Sequence, residues 1–272
     1  MFKRQQIALV IGSIILLISV AVIIFERHGT RFAQMQRALE SRAEQVGAAT
    51  YVMHFPSLSE LPGCGAFRTA KWFEVTWIEA RLSAWERRQV DHGAVVFVGD
   101  SITQRWLGLD RAFPNIKTAN RGITGDTSRG VLYRFDEDVL QLEPRAVVLL
   151  CGINDLSDEA PPECLMQNIQ AVMSLCQKRI PTMPLIVCTV LPTGFEDETN
   201  RKVRAFNASL SRWAAGQTNV WIADTWSAMA DSNGVARSID FPDLIHPSDA
   251  GYSKLGAFLR PFVEKIVMPK EH

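Results

Sequence analysis

Four short stretches of this chain carry residue types that could do nucleophilic chemistry. Gly99-Asp100-Ser101 follows the apolar run VVFV, and a Gly-Asp-Ser turn between a strand and a helix can present a serine Oγ at the helix start. An N-cap serine is the plainer use of the same residue. Asn120-Arg121-Gly122-Ile123-Thr124-Gly125-Asp126-Thr127 carries two glycines that allow a backbone N–H to be turned toward a pocket, or that serve a plain turn before an Asp126 or Thr127 helix cap. Gly152-Ile153-Asn154-Asp155 places an Asn amide after another apolar run, as a donor across a pocket or as an Asx-turn. Asp243-Leu244-Ile245-His246 puts a carboxylate three residues before an imidazole, close enough to fix its tautomer. Of the five histidines, His28 flanks an apolar run, His54 lies in a Pro/Gly-rich loop and His272 ends the chain. His92 precedes a strand, at the wrong end for a ligand site, so only His246 has a carboxylate partner at close spacing.

Chemistry of this kind needs elements that bring the stretches together. Short apolar runs at Ala94–Val98, Ile116–Ala119, Ala146–Cys151, Leu185–Val190 and Val220–Ala223 read as strands. Helical periodicity falls near 70–90, 127–142, 162–179, 197–215 and 249–267. Continuous apolar strands alternating with helices predict parallel β-α-β units with both sheet faces covered. The fold class is therefore α/β, doubly wound. Ligands in such sheets bind at the carboxyl ends of the strands, where three of the four stretches lie, with Asp243 and His246 on the final loop. In the helix near 70–90, Phe73, Trp77, Leu82 and Trp85 read as core side chains.

Taken together, G-D-S-I-T, N-R-G-I, G-I-N-D and D-L-I-H resemble the blocks of the SGNH hydrolase family, the GDSL esterases and lipases, over residues 94–262. Within it the chain is most similar to the branch holding platelet-activating-factor acetylhydrolase catalytic subunits, lysophospholipase-like esterases and carbohydrate acetylesterases. The resemblance implies a flavodoxin-like sheet of five parallel strands and a serine esterase. It implies Ser101 as nucleophile, His246 as general base and Asp243 as the carboxylate that orients it. It also implies an oxyanion hole formed by the Ser101 N–H, the Gly122 N–H and the Asn154 side chain. Fixed dipoles then stabilise the anion, so neither metal nor cofactor is expected. The expected substrate is a short acyl ester, such as acetyl on a glycan, or a lysophospholipid or other lipid ester. Trp106, Trp226 and Phe241 are candidates for the pocket rim, with ordinary core packing an equal alternative. An acyltransferase with the same triad, or a non-catalytic binding protein on the same fold, are the alternatives.

Lys+Arg and Asp+Glu both number 29, a balance that leaves no basic footprint for nucleic acid. With 47% hydrophobic and 21% charged residues, the chain as a whole is not disordered. Residues 7–25, IALVIGSIILLISVAVIIF, carry no charge. As a helix they span about 28 Å, close to the hydrocarbon core of a bilayer. No small-residue cleavage site follows, so an uncleaved membrane anchor is expected rather than a signal peptide. Lys3 and Arg4 precede it, whereas Arg27, Arg31, Arg37 and Arg42 follow it. An extracytoplasmic catalytic domain is preferred, since charge counting weakens for long translocated domains. Residues 1–27 thus read as the anchor, 28–67 as a juxtamembrane helix and linker, and 68–272 as the hydrolase domain. The helix at 31–47 reads as a stalk or a coiled-coil seam. The odd cysteine count (Cys64, Cys151, Cys164, Cys176, Cys188) allows one disulfide without pairing it.

Overall fold

A computed structural model describes residues 29–158, 160–195 and 198–267. The chain divides into two compact units, residues 1–48 and Ala49–His272. In the first, residues 29–45 form helix α1. The expected span at 7–25 lies outside the described residues, and among the described residues no helix is long and apolar enough to cross a membrane.

The second unit begins with α2 (Thr50–Met53), α3 (Lys71–Glu86) and α4 (Arg88–Asp91). It continues through β1 (Val95–Gly99), α5 (Ser101–Gln104), α6 (Leu109–Ala112), β2 (Thr118–Gly122) and α7 (Ser128–Asp138). Then come β3 (Ala146–Leu150), α8 (Ile153–Ser157), α9 (Pro162–Arg179), β4 (Leu185–Cys188) and α10 (Glu198–Ala214). It closes with β5 (Val220–Ala223), α11 (Thr225–Met229) and α12 (Asp249–Val267). The five strands form one sheet in the order β2-β1-β3-β4-β5, and every pairing is parallel. Composition follows position. β1, β3 and β4, the three inner strands, are apolar and buried along their whole length, whereas at the edges β2 is largely polar and both β2 and β5 are only partly buried. An inner strand is covered on both faces and has no use for alternation.

The second strand begins two residues later than its sequence suggests and runs through Asn120, Arg121 and Gly122. These polar residues pair with Phe97, Val98 and Gly99 of β1. An edge strand tolerates them because each finds a partner. Asn120 Nδ2 donates to the Thr103 carbonyl, and buried Arg121 pairs with Asp91 at 2.8 Å. Gly122 therefore ends a strand instead of following one.

Residues 54–67 are irregular, as their prolines and glycines suggest, yet they belong to the compact unit that begins at Ala49. Phe55 and Phe67 pack edge-on or tilted against each other and against Phe73, and Phe55 also meets Trp77, with centroids 5.5–6.0 Å apart. Arg129 reaches the carbonyls of Leu58, Leu61, Pro62 and Gly65. Cys64 is disulfide-bonded to Cys164, and Cys151, Cys176 and Cys188 are free and buried. Of the expected core side chains of α3, Phe73, Trp77 and Leu82 are buried. Trp85 is only half-buried, beneath the Arg88 guanidinium at 3.8 Å.

Candidate active site

The loops after β1, β2 and β3 and the loop before α12 converge at the carboxyl edge of the sheet. Asp100, at the N-cap of α5, accepts the Ile102 N–H, which leaves Ser101 as the first helical residue. Its own N–H has no acceptor within the helix. Tyr252 of α12 donates its hydroxyl to the Ile102 carbonyl at 2.7 Å and stacks on Trp106, so the last helix pins the serine turn.

Ser101 Oγ lies 2.8 Å from His246 Nε2, and His246 Nδ1 lies 2.7 Å from Asp243 Oδ2. With Nδ1–H directed to the carboxylate, Nε2 faces the hydroxyl with its lone pair. Such a chain can draw the hydroxyl proton onto the imidazole. The other carboxylate oxygen accepts the backbone N–H groups of Ile245 and His246. Leu244 makes this turn at φ +70°, an uncommon conformation for a branched side chain. Burial raises the Asp243 pKa, but the hydrogen bonds from His246 and Ile245 outweigh it and lower it to about 2. The carboxylate is thus ionised at every working pH, although half of its side chain is exposed.

Gly122 lies hard against the serine turn. A Cβ there would come within 2.2 Å of the Gln104 nitrogen and 2.7 Å of the Asp100 carbonyl oxygen, so only glycine allows this approach. Its N–H donates to Asn120 Oδ1 at 2.9 Å. An incoming oxyanion is charged and offers a stronger acceptor than that neutral amide. Asn154 Nδ2 donates one hydrogen to the Asp126 carbonyl at 2.7 Å, which leaves the second free to serve as a donor.

Below these loops lie three fully buried carboxylates. Burial, reinforced by the charges of Asp155 and Asp126, raises Asp100 to about 7 against the pull of the Ile102 N–H. Burial raises Asp126 to about 6 in spite of Arg134. Asp155 is raised by burial and opposed by its bonds from Ser128. Arg134 links two loops, pairing with Asp126 at 2.8 Å and donating to the Gly99 carbonyl at 3.1 Å. Asp155 accepts both the N–H and the Oγ–H of Ser128 at the start of α7. Neither Arg134 nor Ser128 stands out in the sequence, because each lies inside a helical stretch where Arg and Ser are ordinary. Only their burial marks them.

The structure brings Ser101, Asp243 and His246 into one hydrogen-bonded chain. The rim candidates fare differently. Trp106 and Phe241 are core side chains, and Trp226 is half-buried. Their size suits the space between sheet and helices, which sequence position alone does not reveal. A cavity of about 740 Å³ runs between α3 and β2. Gly122 lines it but Ser101, Asn154 and His246 do not, so it is not where a reacting ester would sit.

Comparison with known proteins shows the family and the fold. The sequence model of the GDSL-like lipase/acylhydrolase family matches residues 97–254. The human platelet-activating factor acetylhydrolase IB subunit alpha2 is 31% identical over 178 residues, which cover 64% of this chain and 77% of that protein. A GDSL-like lipase from Bacteroides thetaiotaomicron superposes with a TM-score of 0.58 at 26% identity, covering 64% of this chain and 89% of that one. An acetylxylan esterase from Geobacillus stearothermophilus shares the fold, with a TM-score of 0.53 at 21% identity over 65% of this chain and 95% of that one.

Proposed function

This chain belongs to the GDSL-like lipase/acylhydrolase family and hydrolyses ester bonds, and we propose that it does so through a Ser101-His246-Asp243 triad. The observation that carries this reading is the unbroken chain from Ser101 Oγ to His246 Nε2 and from His246 Nδ1 to Asp243.

In the proposed reaction Ser101 Oγ attacks the ester carbonyl while its proton passes to His246 Nε2. Asp243 stabilises the imidazolium and does not itself take the proton. The oxyanion is held by the Ser101 N–H, the Gly122 N–H and the free amide hydrogen of Asn154. One such donor contributes about 10²–10³ in turnover. The tetrahedral intermediate collapses, and the departing alcohol takes the proton from His246. Water then attacks the acyl-serine by the same route.

The proposed substrate is an ester of a short acyl group, acetyl first. Two observations support this: the similarity to relatives named acetylhydrolases, and the enclosure of Ser101, which exposes 6% of its surface. We further propose that residues 7–25 anchor the chain in a membrane with the catalytic domain outside the cytoplasm. The uncharged run of that segment supports the anchor. The Cys64–Cys164 disulfide supports the side, since such bonds persist in oxidising compartments.

Hydrolysis of p-nitrophenyl esters from acetyl to palmitoyl tests activity and acyl length together. The highest kcat/KM is expected on acetyl. A maximum on long chains would replace the short-acyl reading with a lipase-like one.

A further inference from the structure

The strap at residues 58–68 lies outside the stretch matched by the family model, yet it holds the two loops assigned above to the oxyanion. We propose that it is a positioning element for the oxyanion hole, with Arg68 as the residue that couples the two loops. The proposal rests on the reading of Gly122 and Asn154 as oxyanion donors.

Arg68 makes the link directly. Nη1 donates to the Gly125 carbonyl at 2.6 Å, three residues beyond Gly122. Nη2 donates to the Asp158 carboxylate at 3.0 Å, four residues beyond Asn154. One planar guanidinium thus ties the segment after β2 to the segment after β3, a fork that a lysine cannot reproduce.

A second link runs through Asn168 of α9, which is fully buried. Its Oδ1 accepts the Cys64 N–H, and its Nδ2 donates to the Cys64 carbonyl and to Ser128 Oγ. Ser128 Oγ in turn donates to Asp155, the neighbour of Asn154. Both amide hydrogens and the amide oxygen are therefore committed to the strap and the loop. Gly63 makes room for it, because a Cβ there would meet Asn168 Oδ1 at 2.0 Å.

The strap is fastened along its length. Thr127 Oγ1 donates to the Ala66 carbonyl at 2.7 Å, Arg129 gathers four strap carbonyls, and the disulfide ties Cys64 to α9. No strap side chain touches Ser101 or His246 through a described hydrogen bond. Arg68 is accordingly a positioning residue and not a catalytic one.

The test is a double-mutant cycle in the full-length protein, kept in mild detergent, with p-nitrophenyl acetate. R68A is expected to lower kcat roughly 10-fold to 100-fold, the scale on which a misplaced donor acts, with KM within about twofold. R68K should recover little of the loss. In the N154A background, R68A should cost less than in wild type, because one of the two donors it positions is gone. C64S/C164S, which loosens the same strap elsewhere, should also lower kcat with KM unchanged. Near-UV circular dichroism identifies any variant that has lost its packing. An effect of R68A that is undiminished in the N154A background, or one on KM alone, would overturn the strap proposal. A normal kcat for N154A itself would overturn the oxyanion reading instead, so the two failures are told apart.

Discussion

Asn154 gives one amide hydrogen to the backbone carbonyl of Asp126, at 2.7 Å, and this bond fixes the direction of the other. A donor held in this way before the substrate arrives needs no reorganisation when charge develops on the substrate oxygen. N154A is therefore expected to lower kcat about 10²–10³-fold with little change in KM, since the donor acts mainly on the transition state. Steady-state kinetics on p-nitrophenyl acetate checks this. A pure KM effect would make Asn154 a substrate-binding residue.

Arg134 is expected to matter for stability before it matters for rate. Its guanidinium is buried between the Asp126 carboxylate and the Gly99 carbonyl. R134A leaves a buried carboxylate without its cation, a loss of about 3–5 kcal/mol. Urea unfolding measures it. A loss under about 1 kcal/mol would mean that Asp126 finds a different partner or holds a proton.

The raised Asp100 gives a pH dependence with a definite sign. Its ordinary value is 3.8 and its folded value about 7. Between those values the folded protein holds a proton that the unfolded chain has released, so this group costs stability as pH rises through that window. D100N keeps the N-cap acceptor and removes the ionisation. The stability difference between variant and wild type should move in favour of D100N from pH 5 to pH 8, by at least about 1 kcal/mol. Paired urea titrations at the two pH values test it. A difference that is constant with pH would show that Asp100 is ionised throughout.

Truncation separates the two units of the chain. A fragment beginning at residue 49 retains the strap, the disulfide and the Phe55-Phe67-Phe73-Trp77 cluster, and it is expected to fold. A fragment beginning at residue 69 loses Phe55, Phe67, Arg68 and the disulfide. The disulfide closes a loop of 100 residues, which on chain-entropy grounds contributes about 4–5 kcal/mol. Thermal melts of the two fragments should differ by well over 10 °C. Equal melting temperatures would reduce the strap to a passive tail.

Much of this was legible in the sequence because the signals are local. Apolar runs such as Val147–Leu150 and the 3.6-residue rhythm of 162–179 give strands and helices within a few residues of their observed ends. Asp243 and His246 meet because they are three residues apart. The rest depends on contacts far apart in the chain. Asn120 and Arg121 do not look like strand residues, and their partners at Thr103 and Asp91 exist only once the sheet is assembled. The prolines and glycines of 54–67 signal irregular backbone, but irregular backbone is not the same as loose packing. Nothing near Cys64 points to Cys164 or Asn168. Trp106 and Phe241 could be read as rim or as core side chains, and their burial places them in the core.

The central claim is that Ser101 is the nucleophile and His246 its base, and the most direct measurement is the site and rate of fluorophosphonate labelling. Peptide mass mapping of the labelled wild type should place the phosphonyl group on Ser101. H246A should slow the labelling by at least about 10³-fold, S101A should abolish it together with roughly 10⁴–10⁶ of the esterase rate, and EDTA should change neither. Label on another serine, or ester hydrolysis by S101A at the wild-type rate, would contradict the account.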